Sequence, residues 1–171
     1  MRGSVLVLAL LLAGCGGGSS HAATTSAAGA CRGPDLRGAF SVVRGSAGAG
    51  QITYRLRVVD RSSSDCFVSG IPGLRLLGAN GKALPTHARA EHPAQLTAVR
   101  VLLRPGGAAA LTARFSPDVH GPGEQHPGRC EPVADRLRVT PQGGGSVVVP
   151  VRPPTSVCEH GRLGLTAFAP G

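Results

Sequence analysis

The five cysteines carry the most definite chemistry in this chain, and Cys15 differs in setting from the other four. It ends the run Leu12-Ala13-Gly14-Cys15, behind Arg2 and an apolar stretch from Val5 to Ala13. A positive start, a compact apolar stretch and small residues before a cysteine have the form of a bacterial lipobox. The stretch is shorter than the roughly 20 residues needed to cross a bilayer, so it reads as a cleaved signal. On this reading residues 1–14 are removed and the Cys15 sulfur takes a diacylglyceryl thioether. The protein is then expected on the extracytoplasmic face of the cell membrane, anchored by lipid.

Cys31, Cys66, Cys130 and Cys158 remain, and an even set in an oxidising compartment implies two disulfides. Four cysteines allow three pairings. Cys31–Cys66 with Cys130–Cys158 is preferred, because each pair closes a moderate loop and staples one end of the chain. By loop entropy each bridge contributes about 3–4 kcal/mol. A zinc site built from all four thiolates is disfavoured, since no C-x-x-C spacing occurs.

His87 and His92 flank one loop and His120 and His126 share another, so four imidazoles could gather around Cu(II) or Zn(II). Their spacings match no established ligand pattern, and the only methionine is the initiator, which argues against a copper(I) carrier. A metal-binding lipoprotein is therefore the alternative reading, and no cofactor is expected. Neither Gly45-Ser46 nor Gly145-Ser146 has the frame of a nucleophile elbow, and no paired carboxylates or phosphate-cradling loop are evident. No catalytic residue is assigned, and the chain is not expected to be an enzyme. The arginines point elsewhere. Arg55, Arg57, Arg100, Arg104, Arg114, Arg136 and Arg138 occupy outward positions of alternating segments. If those segments share a sheet, the guanidinium forks form a basic face suited to phosphate and carboxylate.

These side chains must be placed by strands. Ile52, Tyr54, Leu56 and Val58 alternate with Thr53, Arg55 and Arg57 within 51–59, the period of a strand with one buried face. Segments 97–104 and 108–116 flank Pro105-Gly106-Gly107 and read as a hairpin. Segments 133–140 and 146–152 flank Pro141-Gln142-Gly143-Gly144-Gly145, and 163–168 makes a last strand. Leu74–Leu77 and a stretch after Asn80-Gly81 are weaker candidates, and no sustained helical period appears. Residues 116–129 are too polar and too rich in Pro and Gly for a strand and read as a long loop. About eight or nine short strands give an all-β, antiparallel β-sandwich.

Composition agrees. Hydrophobic residues make up 42%, aromatics only 3%, and Trp is absent, so the core is expected to be built from Val, Leu, Ile and Ala. With Gly 26 and Pro 14, turns outnumber long helices. Residues 15–30 are Gly/Ser/Ala/Thr-rich and read as a flexible tether with about 20 Å of mean reach, leaving 31–171 as the folded domain. The formal net charge is +9. Outside the cytoplasm a basic surface meets anionic lipid and wall polymer, and nucleic acid is not an expected partner.

The blocks VVDRSSSDCFVSGIPGLRLLGANGK, VRVLLRPGGAAALTARFS, CEPVADRLRVTPQ and CEHGRLGLTAF resemble a domain-of-unknown-function family of secreted lipoproteins in high-GC Gram-positive bacteria. The resemblance covers about Cys31 to Phe168 and includes the four domain cysteines. Asp60 stands where that family usually has Asn, and Ile71 replaces its usual Tyr. The resemblance implies an immunoglobulin-like sandwich with two disulfides and no assigned activity. The expected function is a non-enzymatic binding or structural module of the cell envelope. Its partners would be the membrane through the lipid, and an anionic envelope polymer or another envelope protein.

Overall fold

The computed structural model describes residues 27–97, 99–125 and 127–171. The signal segment 1–14, Cys15, most of the tether and His126 lie outside the described residues. Twelve strands follow in order: β1 (Gly29–Ala30), β2 (Leu36–Val42), β3 (Ile52–Asp60), β4 (Cys66–Ser69), β5 (Gly73–Leu77), β6 (His87–Ala90), β7 (Arg100–Leu103), β8 (Ala108–Phe115), β9 (Ala134–Thr140), β10 (Val147–Thr155), β11 (Arg162–Leu165) and β12 (Ala169–Pro170). The count exceeds the eight or nine read from alternation. Two strands have only two residues, too few to show a period, and His87–Ala90 is half exposed on alternate residues without one strongly apolar side chain.

The strands form a three-stranded sheet, β1-β4-β7, and a larger one ordered β5-β9-β10-β2-β3-β8-β11-β6, with β12 beside β8. Eight strands laid flat at about 4.8 Å would span about 34 Å. Three strands cannot cover that width, yet the inward residues of both sheets join one core cluster. The large sheet therefore folds over through β2, which pairs antiparallel with β3 along its length and parallel with β10 at Phe40 and Ser41. The result is a β-sandwich.

The segments around Pro105–Gly107 are not a hairpin. β7 pairs with β4 in the small sheet, whereas β8 pairs with β3 and β11 in the large one, so the turn carries the chain across the core. Asp60, 1% exposed, helps to hold this crossing: its backbone N–H donates to the Gly107 carbonyl (3.0 Å), and its carbonyl accepts from Gly106 (2.9 Å). Its carboxylate accepts the Ser62 N–H at 2.8 Å, and the Ser62 hydroxyl donates to the Ser64 carbonyl, so the serine run is a turn. The segments around Pro141–Gly145 do form a true hairpin, β9–β10. Residues 29–30, read as tether, already pair with Cys66 and Phe67.

Both disulfides are present, Cys31–Cys66 with Cα atoms 4.9 Å apart and Cys130–Cys158 at 5.4 Å. The first joins the chain's entry to β4. The second ties the end of the 116–129 loop to the turn before β11.

The core is not wholly aliphatic. Phe40, Tyr54 and Phe115, all within 1% exposure, sit on β2, β3 and β8, with ring centroids 5.0 Å and 5.2 Å apart. Tilted rings at such separations add about 0.5–1.5 kcal/mol per pair beyond buried area. The Tyr54 hydroxyl donates to the Pro153 carbonyl at 2.9 Å, which ties the stack to the far end of β10. Tyr54→Phe should therefore cost about 1 kcal/mol in chemical denaturation, and Tyr54→Ala about 3–5 kcal/mol. Burial raises the Tyr54 phenol above its ordinary 10.0, so folding stability should be intact below pH 10.0 and fall as pH rises beyond it. With one tyrosine and no tryptophan, tyrosinate absorbance reports this group alone. A titration at the ordinary value in the folded protein would contradict the buried stack.

Candidate functional site

The seven outward arginines do not form one face. In antiparallel pairing, residues directly opposite share a face. Arg55 and Arg57 lie on β3, opposite Ser41 and Ala39 of β2 and opposite Thr112 and Ala110 of β8. Arg114 is opposite Thr53 on the same outer surface, but its guanidinium pairs with Glu91 at 3.6 Å. Arg136 and Arg138 sit on β9, in the other wing of the folded-over sheet, where Arg136 donates to the Ala79 carbonyl. Arg100 and Arg104 belong to the small sheet and the turn after it. Three separate groups replace the single basic face, because the large sheet curls and β7 crosses to the other layer.

Two arginines that sequence reasoning missed complete the first group. Arg37 on β2 is opposite Val59, diagonal to Arg57, and Arg152 on β10 lies beside Ser41, one strand from Arg55. All four are exposed, and among the described residues none of their guanidinium groups makes an ion pair or hydrogen bond. The positions between them are Ala39, Ser41, Ala110 and Thr112, small residues that leave a low floor without acidic groups. Like charges about 7 Å apart repel by about 0.6 kcal/mol even in water, and a bound anion converts that cost into attraction. Four planar forks over a floor of small side chains suit phosphate oxygens. The signal for β2 was present in Leu36, Phe40 and Val42 at alternate positions, but Gly38 interrupts the apolar face. Arg152 ends the segment 146–152 already read as a strand, and its alternation with Val149 and Val151 was the signal for its outward position.

A second polar region lies at the β6–β11–β8 edge. A cleft of about 870 Å³ is lined by His87, Arg89, Glu91, Arg114, His160 and Arg162 among others. It is bounded by the turn Cys158–Gly161, in which Glu159 (φ 53°), His160 (φ 58°) and Gly161 (φ 78°) are all left-handed. A side chain at Gly161 would collide with the Pro85 carbonyl, so the turn needs glycine there. The two non-glycine residues are held by Glu124. That carboxylate, 2% exposed, accepts backbone N–H groups from Gly121 (2.5 Å), Glu159 (3.1 Å) and His160 (2.5 Å). Burial by itself would raise the Glu124 pKa, but these three donors and His160 outweigh it and leave it below its ordinary 4.5.

Among the described residues, His87, His92 and His120 do not share a ligand cluster. His87 is on exposed β6, His92 precedes a short 3₁₀ turn (Pro93–Gln95), His120 is half-buried at the start of the long loop, and His126 lies outside the described residues. Among the described residues, the donor groups close enough to share an ion are two. In one, Glu124, Glu131 and His160 offer atoms within 4.8 Å of one another; in the other, Glu124 faces the sulfurs of the Cys130–Cys158 disulfide. Neither contains His87, His92 or His120. The His160 Nδ1 stands 3.7 Å from Glu124 and 3.6 Å from Glu131, so a proton there would serve both carboxylates. Glu124 and Glu131 lie seven residues apart in a non-periodic stretch and His160 lies 29 residues further on, and this spacing carried no signal of the cluster.

Residues 31–169 match the family described as Domain of unknown function (DUF4232). The chain belongs to this family. The matched span begins at Cys31 and includes all four disulfide cysteines of the DUF4232 domain. No curated protein and no solved structure matches the chain.

Within the DUF4232 domain, Glu124→Gln should lower stability by about 2 kcal/mol or more, since it weakens three charge-assisted hydrogen bonds to one buried group. Because the folded pKa of Glu124 is depressed, its contribution is present above about pH 4.5 and lost as pH falls below it. Thermal melts of the wild type should therefore drop through that range, and those of the glutamine variant should be flatter. Parallel acid profiles would show that Glu124 does not bind the turn as described.

Proposed function

We propose that this DUF4232 protein is a lipid-anchored, extracytoplasmic binding module of the cell envelope, non-enzymatic, which holds a phosphate-bearing envelope polymer on Arg37, Arg55, Arg57 and Arg152. The observation that carries the reading is the arginine platform itself. Its four exposed guanidinium groups stand over Ala39, Ser41, Ala110 and Thr112 without an acidic partner among the described residues. Proteins usually intersperse surface charges of both signs, because a single-sign cluster costs repulsion and gains nothing unless it meets an anion. The lipobox form of Leu12–Cys15 and the net charge of +9 support the location and the sign of the partner. The absence of a nucleophile elbow in the sequence supports binding over turnover.

The test is equilibrium binding of the mature chain to a phosphodiester wall polymer across a salt series. Affinity should fall steadily with salt. Arg55→Gln combined with Arg57→Gln should weaken binding about tenfold or more, as lost charge-assisted hydrogen bonds of roughly 1.5–3 kcal/mol would require. Arg136→Gln with Arg138→Gln, in the other wing, should change it little. Binding that ignores salt, or an equal loss from both pairs, would remove the platform from the proposal. The mass of the N-terminal peptide checks the lipid on Cys15 separately.

A further inference from the structure

The outward face of the small sheet differs from the arginine platform. Leu102 (56% exposed) lies directly opposite Phe67, which is half-buried, and Val99 (56%) and Leu96 (41%) are exposed apolar residues on the approach to β7. Arg100 places its guanidinium 4.6 Å from the centre of the Phe67 ring. Arg32 and Arg104 are exposed beside the two ends of this sheet's cysteine-linked strands. Large apolar side chains rimmed by arginine are the composition of a surface that meets an anionic lipid headgroup layer.

The position of the chain's N-terminal segment decides the occupant. β1 belongs to this same sheet, with Gly29 beside Cys66 and Ala30 beside Phe67. Because β1 runs parallel to β4, the segment leading back to Cys15 leaves at the Cys66–Leu103 end, next to Arg104. Gly29 is fourteen residues from Cys15, so the chain between them spans at most about 50 Å. β4 and β7 have four residues each, so the paired part of the face extends about 13 Å along the strands, with Val99 and Leu96 just before it in the chain. An anchor at Cys15 therefore keeps Leu96, Val99 and Leu102 within reach of the bilayer, and at the high local concentration that makes weak contacts count.

We infer that the outer face of β1-β4-β7 docks on the anionic lipid surface, with Leu96, Val99 and Leu102 entering the headgroup boundary and Arg32, Arg100 and Arg104 pairing with lipid phosphates. This rests on the lipid-anchor reading of Cys15. The docked face fixes how the domain stands. The outward faces of the two sheets point away from their shared core, so the arginine platform remains free for a polymer while the small sheet lies on lipid.

The test uses the full chain processed in its host, purified and reconstituted in vesicles containing phosphatidylglycerol. A fluorophore is placed by Leu102→Cys or by Val119→Cys; disulfide and thioether sulfurs do not react with it. Val119 (49% exposed) packs near Gly50, just before the start of β3, whereas the tether leaves near the end of β3, about 30 Å away along its nine residues. If the small sheet docks, a lipid-embedded quencher should act several-fold more strongly at position 102 than at 119. Val99→Ser in the Leu102→Cys chain should reduce that difference, as should phosphatidylcholine vesicles. Acylation at Cys15 with equal quenching at both sites would overturn docking and leave the anchor standing. An N-terminal peptide without acyl mass would overturn the anchor, and docking with it.

Discussion

The sandwich and the surfaces it displays depend on the register of β2, β3 and β8. Tyr54 stands between Phe40 and Phe115, and its hydroxyl reaches Pro153. With the rings locked in that order, Leu56 faces Leu111 and Val58 faces Ala109 on the buried side. A slip of one residue would send Arg55 and Arg57 into the core and Tyr54 and Leu56 into water. Burying two unpaired guanidinium groups costs several kcal/mol each, more than the domain's whole margin of stability allows. The packing of three aromatic rings and the outward display of the arginines are thus one constraint seen from its two faces. The small residues Ala39 and Ala110 follow from it, since long side chains there would crowd the arginines opposite.

The two disulfides act at places this register does not reach. Cys31–Cys66 fastens the entering chain to β4, in the short sheet whose strands have four residues or fewer. Strands of that length gain little from their own ladders, and a covalent tie offsets the deficit by restricting the unfolded chain. Cys130–Cys158 closes the other weak place, where a polar loop meets a left-handed turn. There the bridge is reinforced by Glu124, which supplies acceptors to N–H groups that no strand can satisfy. A left-handed non-glycine residue costs roughly 1–3 kcal/mol, and two in succession persist only because both restraints apply.

How much of this was legible in the sequence depended on whether the interaction was periodic. β3 and β8 could be read almost to the residue, because their alternation of apolar and polar side chains is what burial of one face demands. The all-β class, the even cysteine set and the long loop followed from composition and spacing in the same way. What could not be read were relations between strands. Pro105-Gly106-Gly107 serves equally well in a hairpin or in a crossing between layers, and only the partners of β7 and β8 tell them apart. The arginines' outward direction was legible from alternation, but their division into three groups was not, since it depends on where the large sheet bends. Arg37 lies in a strand whose pattern Gly38 breaks, whereas Arg152 lies in a segment that alternation did reveal, and only the pairing of β10 with β2 brings it beside Arg55.

The two proposed surfaces would also account for a domain so basic carrying its charge in separate groups. A uniform positive shell would be drawn to any anionic surface in any orientation, and would place polymer and lipid in competition for the same arginines. Here the groups differ in what surrounds them. Arg55 and Arg57 rise from alanine, serine and threonine, which suits a hydrated, phosphate-rich chain lying across the strands. Arg100 instead lies over Phe67 beside exposed Leu102, where the guanidinium keeps its charge while its flat face rests on an apolar surface. Such an arrangement favours a boundary between water and hydrocarbon over a fully hydrated polymer. On the proposed reading, charge alone would attract both partners at long range, and the side chains between the charges would decide which one remains once water has been displaced.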